Sequence, residues 1–172
     1  MKRRWLLVRQ IIEYMQKIDT FRKFNEIIKF GEDKLKMFHT VRSEVDSYKR
    51  VIQAIINKKV YQKCVDELQI THDELSAFEL QVNTFYNENK SSFSGIMKQY
   101  LDSYMKYIKA AVNVSEKRLI LQKLIRDIKV NKTMKHYQGE IPSMIEDIDK
   151  SYENCRLHAV SFNKVADKIK NA

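Results

Sequence analysis

The chain has 172 residues, of which 44% are hydrophobic and 31% charged, which suits one domain with a buried core and excludes a disordered protein. Three glycines and one proline supply too little turn chemistry for hairpins, which excludes a strand-rich fold. The net charge of +10 favours polyanions or acidic proteins as partners, and two cysteines, Cys64 and Cys155, are too few for a disulfide framework.

These features predict a cytoplasmic protein in which neither thiol is bridged. The chain has no run of about 18 apolar residues and carries no lipidation signature, so any contact with a membrane is expected to be peripheral. We expect one all-α domain over residues 1–172, built as an elongated antiparallel helical bundle or coiled coil of four to five long helices.

A glycine separates the first two predicted helices. Near the N-terminus, apolar residues recur at helical spacing, at Ile11, Met15, Ile18, Phe21, Phe24 and Ile28. Gly31 follows and can adopt the left-handed conformation that ends many helices. Beyond it, apolar residues keep a three-four spacing as far as residue 70. The pattern therefore predicts helices over residues 2–30 and 32–70.

Polar residues mark the next boundaries. Thr71 and Glu74 fit a capping box, which predicts the start of a third helix. Serines and a glycine at residues 91–95 favour a kink. Asn113 and Glu116 fit another capping box, yet nothing between them forbids a continuous helix, so one helix and two helices both remain open. The two-helix interpretation has bounds of 72–112 and 114–133.

The last helix is predicted over residues 142–170. It follows Gly139, begins at Pro142 or Ser143, and has Glu146 in position to complete a cap. Its apolar residues alternate steps of four and three over four heptads, which is typical of a left-handed coiled coil. Such a seam must pack on a helix of this chain or of a second copy, and we predict a homo-oligomer formed through Ile145, Ile148, Tyr152, Ala159, Phe162 and Ile169.

Catalytic and metal-binding patterns are weak. The four histidines lie far apart and outside hydrolase and metalloprotease motifs, at His39, His72, His136 and His158. No Glu-x-x-His pair of the di-metal helical enzymes occurs. Cys155 and His158 could reach one zinc ion, but they lack a third and a fourth ligand nearby. We therefore predict a protein that is not an enzyme and has no metal, cofactor or small-molecule substrate.

Positive charge is concentrated in two regions. Residues 1–30 contain eight basic and three acidic side chains, and residues 98–137 contain ten and three. In the second region, cations surround apolar residues as in a basic amphipathic helix, which predicts a partner-binding face. Its members are Lys117, Arg118, Lys123, Arg126, Lys129, Lys132 and Lys135. The first region opens with a predicted contact for a membrane or a partner, which comprises Lys2, Arg3, Arg4 and Trp5.

These patterns favour association over catalysis. The leading hypothesis is a helical interaction protein, an adaptor, scaffold or chaperone, whose basic faces bind an acidic protein partner. One alternative is a peripheral module with an elongated dimeric body that binds an anionic membrane surface. The other is a protein that binds nucleic acid phosphates nonspecifically. A solvated outer face of an ordinary bundle helix explains the basic region equally well.

Overall fold

The computed structural model describes residues 2–171, and it leaves undescribed the side chains of residues 2–8, 11, 48, 51, 55, 56 and 132. The predicted contact side chains of Lys2, Arg3, Arg4 and Trp5, and that of Lys132, therefore lie outside the described residues. The chain is 93% helical, and the part that is described contains no strand. The prediction of an all-α helical bundle is confirmed.

Five α-helices and one 3-10 helix follow each other along residues 2–171. They are α1 (Lys2–Val45), α2 (Tyr48–Ile56), α3 (Lys59–Asn89), α4 (Gly95–Val130), a 3-10 helix (Lys132–Glu140) and α5 (Ile141–Lys170).

The predicted helix end at Gly31 is wrong, because α1 continues through this residue to Val45. Gly31 is buried, and a Cβ atom placed there would overlap the hydroxyl of Tyr104 and the ring of Phe78. The missing side chain therefore leaves room for the Phe78 ring of α3 and the Tyr104 hydroxyl of α4 against the backbone of α1. A left-handed glycine does occur, at Gly95, where a φ of +58° starts α4.

The prediction of one helix over residues 32–70 is also wrong, because the helical structure is interrupted twice within this range. Ser47 caps α2 by accepting a hydrogen bond from the backbone N–H of Arg50 at 3.2 Å. Asn57 is extended, and its side-chain oxygen accepts from the backbone N–H of Lys59 at 3.0 Å. Each break is thus made by one short polar side chain that competes with the helix for backbone N–H groups.

The helix start predicted after Thr71 is not observed. The Thr71 hydroxyl is buried and donates to the carbonyl of Glu67 at 2.8 Å, inside the continuous helix α3. Glu74, the other half of the expected capping box, forms an ion pair with Lys34 of α1 at 2.5 Å. Glu74 therefore links α3 to α1, and Thr71 bonds within α3. Threonine hydroxyls in the interior of a helix commonly bond back to a carbonyl of the preceding turn.

The kink predicted near residues 91–95 is a complete break in the structure, because α3 ends at Asn89 and α4 begins at Gly95. The capping box at Asn113 and Glu116 does not form, and α4 is continuous across it. Ser115, in the same segment, is buried and lies 2.9 Å from Nδ1 of His72 on α3. The bounds 72–112 and 114–133 are therefore wrong, and residues 72–133 are not one helix either, because the helices α3 and α4 divide this range at residues 90–94.

The predicted last helix is confirmed within one residue, as α5, with Pro142 in its first turn. Its predicted cap is wrong. The Ser143 hydroxyl donates to the carbonyl of Glu140 at 2.8 Å, and Glu146 forms an ion pair with Lys150 at 2.7 Å. The 3-10 helix before α5 supplies the preceding turn instead of a side-chain cap.

The bundle closes on three sides. Close backbone approach joins α1 to α3, α3 to α4 and α4 to α5 in the described part of the chain, and the side between α1 and α5 is open. Aromatic rings form the centre of the core, where Phe24 lies 5.6 Å from Phe85 and 5.5 Å from Tyr100. Phe162 of α5 stacks on Tyr100 at 5.0 Å. These contacts fix the register of each helix along its neighbours.

Candidate interaction surfaces

The cations predicted to form one basic face on α4 point to different neighbours. The Lys117 ammonium binds Asp147 of α5 at 2.7 Å and the hydroxyl of Ser151 at 2.8 Å. The Arg118 guanidinium binds Asp46, just after α1, and its side chain is only 14% exposed. Burial, together with the neighbouring charge of Arg42, lowers the pKa of Arg118. These two cations connect helices of the bundle.

The next two cations of the predicted face contact α3. Lys123 donates to the side-chain oxygen of Gln69 at 2.8 Å, and Arg126 donates to that of Gln62 at 3.1 Å. Lys129 and Lys135 are exposed, and the latter lies in the 3-10 helix. The structure therefore does not gather the predicted residues on one surface, because four of the five predicted cations within α4 are used as cross-links to other parts of the bundle.

The predicted self-association seam of α5 faces the inside of this chain over most of its length. Ile148 and Phe162 are buried, and Ala159 and Ile169 are half-buried. The Tyr152 ring lies beneath the Arg42 guanidinium of α1 at 3.9 Å. Ile145, at 44% exposed, is the member that faces solvent most. Most of the seam thus contributes to the core of the bundle.

The N-terminal part of α1, residues 2–19, extends past the rest of the bundle and is called the arm. When residues are counted along each helix from the contacts of Phe24 with Phe85 and Tyr100, the end of α3 lies opposite Thr20 and the start of α4 lies opposite Asp19. The Arg42–Tyr152 contact places the end of α5 opposite Phe24. At about 1.5 Å per residue, the arm is about 27 Å long. The described side chains of residues 9–19 are all exposed.

The arm carries an apolar stripe that faces away from the bundle core. Ile12 and Ile18 are each 50% exposed, and Met15 is 59% exposed. Met15 and the buried Phe24 are separated by two and a half turns at about 3.6 residues per turn, so they lie on opposite sides of α1. Arg9 and Glu13 form an exposed ion pair beside the stripe at 3.1 Å. The arm is therefore amphipathic, and its apolar side has no neighbour among the described residues.

A groove of about 670 Å³ occupies the open side of the bundle between α1 and α5. Its α1 wall runs from Ile28 to Glu44, and its α5 wall includes Ala159 and Phe162. Tyr107 of α4 contributes to the floor, and burial, together with Cys155 and Tyr152, raises the pKa of that phenol to about 12. The lining is mixed: buried Ile28, Leu35 and Phe162 contribute apolar surface, whereas exposed polar and charged residues of α1 make up most of its wall.

The cysteines and histidines weighed above as catalytic or metal-binding candidates lie in different surroundings. Cys64 and Cys155 are buried and unbridged, and burial raises the pKa of both thiols, that of Cys155 to about 11. His39 lines the groove, and burial, together with the charge of Arg42, lowers its pKa. No three potential metal ligands are grouped within the described part of the chain. In residues 2–171, no helix has the length and apolar character required to span a bilayer.

Sequence reasoning missed both the arm and the groove. The helical spacing of the six apolar residues from Ile11 to Ile28 predicts one helix, but three successive steps of three lead from Met15 to Phe24. Each step of three turns the stripe by about −60°, so three of them move it to the opposite side of the helix. This phase change was a usable signal. The groove has no comparable signal, because it depends on how far apart α1 and α5 lie.

Together these features define the class of the protein, an all-α helical bundle with an overhanging helix and an open side groove. Comparisons with protein-family models, with curated proteins and with solved structures give no match to this chain. The two surfaces therefore have to be interpreted from their own chemistry.

Proposed function

We propose that this protein acts by association, as a non-enzymatic helical adaptor or scaffold, and that its arm is the segment that binds a partner. The observation that carries the proposal is the exposed apolar stripe of Ile12, Met15 and Ile18 on a helix that overhangs its own bundle. A helix with one apolar side is stabilised when that side leaves water, typically by about 25 cal/mol for each Å² of apolar area buried. A partner for this side supplies that burial.

The charge of the arm supports an acidic or anionic partner. Residues 2–19 contain five basic and two acidic residues in the sequence. The adjoining end of the bundle adds exposed cations, namely Arg22, Lys23, Lys98, Lys164, Lys168 and Lys170. By contrast, four cations of the predicted α4 face are engaged with side chains of the bundle, namely Lys117, Arg118, Lys123 and Arg126, so we place the contact on the arm and not on this face.

A peripheral membrane role is a second candidate, favoured by the same apolar stripe with cations around it. Amphipathic helices of this kind lie in the headgroup region, with their apolar side inserted and basic residues near anionic lipid. A membrane along the arm would meet Ile12, Met15 and Ile18 first, with Arg9 beside them.

Two matched variants test the proposal against three probes. The arm variant carries Ile12→Ser, Met15→Ser and Ile18→Ser, and the α4 control carries Lys129→Glu and Lys135→Glu at exposed cations. Each is measured for self-association by sedimentation velocity and for binding to phosphatidylserine vesicles and to polyglutamate. We expect the unmodified protein to bind at least one probe, the arm variant to lose that binding and the control to keep it.

Circular dichroism controls for folding, because all five substituted side chains are exposed and their replacement should leave the bundle intact. Loss of binding in the α4 control alone would return the contact to the predicted basic face. A well-folded protein that binds none of the three probes would contradict a role for the arm in association.

A further inference from the structure

We infer that a cavity at the end of the bundle opposite the arm binds a small organic carboxylate with an apolar tail. Residues of all five α-helices line this space, which is called the end cavity and has a volume of about 480 Å³. Small-molecule sites typically have volumes of about 300–1,000 Å³. None of the described residues of the arm lines the end cavity, so the inference does not depend on the proposed function.

Part of the wall of the end cavity is apolar and reaches solvent. Tyr61 of α3 and Ile125 of α4 are half-buried, and Ile145 of α5 is 44% exposed. Val45 and Cys64 also line the end cavity and belong to the core of the bundle. The apolar surface therefore extends from solvent to the core, and burial of an apolar tail against it is favourable.

Three cations line the end cavity together with one carboxylate among the described residues. The cations are Arg50 of α2 and Arg118 and Lys129 of α4, and the carboxylate is that of Asp46. Glu67, which lies outside the lining, binds Arg50 at 2.8 Å. The side chains of Arg50 and Arg118 are only 15% and 14% exposed, so solvent screens their charges weakly. Three cations thus meet two carboxylates, and the remaining positive charge favours an anion.

Arg118 has a hydrogen-bond donor without an acceptor. Its guanidinium binds Asp46, which also lies 3.8 Å from the guanidinium of Arg42. The Nε atom of Arg118 is buried, and no described residue accepts a hydrogen bond from it. Burial and the charge of Arg42 lower the pKa of Arg118, and the opposing effect of Asp149 is smaller. A carboxylate oxygen in the end cavity would accept from Nε and offset the positive charge.

The two kinds of wall define the chemical class of the ligand. The N–H groups of a guanidinium match carboxylate oxygens, and the exposed ammonium of Lys129 can attract the same anion as a point charge. One donor without an acceptor and a small surplus of positive charge fit a single carboxylate better than a multiply charged anion. The remainder of the molecule has to be apolar, because it covers Tyr61, Ile125 and Ile145.

Isothermal titration calorimetry of the full chain with octanoate tests the inference. Acetate lacks the tail and octanol lacks the charge, so each removes one of the two features that the end cavity recognises. We expect octanoate to bind saturably and at least about ten-fold more tightly than either of them. Octanoate that binds no more tightly than octanol would show that the end cavity does not select an anion, and would overturn the inference.

Paired variants locate the ligand. Lys129→Glu and Ile145→Glu should each weaken octanoate binding about ten-fold, since both place a negative charge in the lining of the end cavity. The matched controls Lys135→Glu and Leu157→Glu alter exposed residues of the same types outside the lining, and should change the affinity less than about two-fold. All four original side chains are exposed, so circular dichroism should show an intact fold.

Arg118→Lys tests the donor without an acceptor. The substitution keeps the positive charge but removes Nε and the planar guanidinium, and should weaken octanoate binding about ten-fold or more. If circular dichroism shows that this variant is unfolded, the pairs at Lys129 and Ile145 decide the question.

The arm variant separates this inference from the proposed function. Ile12→Ser, Met15→Ser and Ile18→Ser should leave octanoate binding unchanged, whether or not the arm binds a partner. Loss of octanoate binding in the arm variant, with full binding in Lys129→Glu and Ile145→Glu, would place the ligand on the arm and overturn the inference. Absence of any binding at millimolar octanoate would overturn it as well and leave the proposed function standing.

Discussion

The two parts of α1 differ although they form one continuous helix. From Phe24 to Val45 the helix buries an apolar side chain or Gly31 at almost every turn, whereas every described side chain between residues 9 and 19 is exposed. The apolar stripe changes sides between Met15 and Phe24, which is where the neighbouring helices end. A change of phase in an apolar stripe can therefore mark a change of partner within a single helix.

The largest expected difference between the arm and the bundle is in the free energy of unfolding that is lost when Phe162 or Met15 is replaced by alanine. Phe162→Ala removes a ring that lies 5.0 Å from both Tyr100 and Tyr104, and should lower the free energy of unfolding by about 3–5 kcal/mol. Met15→Ala, in the exposed arm, should change it by less than about 0.5 kcal/mol. Urea unfolding of dilute protein measures both, and equal losses would show that the arm packs within the chain.

Gly31→Ala should be the next most damaging change, at about 1–3 kcal/mol, because the added methyl group would overlap Tyr104 and Phe78. Alanine favours helix over glycine by roughly 0.5–1 kcal/mol, so without this overlap the substitution would stabilise α1. Gly139→Ala is the matched control, since nothing lies within 4 Å of a Cβ at that position. A higher melting temperature for Gly31→Ala would argue against the close packing of Tyr104 and Phe78 on α1.

A third comparison separates a cation of the bundle from an exposed one. Arg118→Ala and Lys135→Ala each remove one positive charge, but Arg118 is largely buried and bound to Asp46, whereas Lys135 is exposed. Loss of a buried charged hydrogen bond typically costs about 1–3 kcal/mol, so Arg118→Ala should destabilise the protein and Lys135→Ala should not. Unfolding in urea at low and high salt measures the change in the free energy of unfolding for each variant. Equal effects would indicate a general charge effect instead of a cross-link.

The smallest predicted effect depends on pH. Since burial raises the pKa of Tyr107 to about 12 from an ordinary value of 10.0, the folded state holds this proton more tightly than the unfolded state. Its contribution to stability is complete below pH 10 and declines as the pH rises towards 12, by up to about 1.4 kcal/mol at pH 11. Tyr107→Phe should reduce that decline in urea unfolding. Tyr14→Phe, in the exposed arm, should leave the decline unchanged.

The sequence predicted the features that depend on repeated patterns. Helical class, the break near residues 91–95 and the extent of α5 all follow from many residues acting together. Boundaries that depend on one side chain were predicted poorly. Thr71 has the chemistry of a cap but bonds to Glu67, and Gly31 has the freedom of a terminator but serves close packing.

Prediction of the candidate surfaces from the sequence has the same limit. Spacing identified the α4 cations as a group, but it could not reveal that Asp46, Asp147 and Gln69 lie across from three of them, because these partners come from three distant segments. The arm was within reach of sequence analysis, since its stripe changes phase in the sequence itself. Its exposure was not, because that depends on where α3, α4 and α5 end.

The overhang of α1 also divides the chromophores of the protein. Trp5 is the only tryptophan and lies within the arm, whereas Tyr100, Tyr104 and Tyr107 belong to the bundle. Tryptophan emission therefore originates from the arm, and these three tyrosines contribute near-ultraviolet dichroism from the core. One sample can thus report separately on what happens to the arm and on whether the bundle remains folded, without any added label.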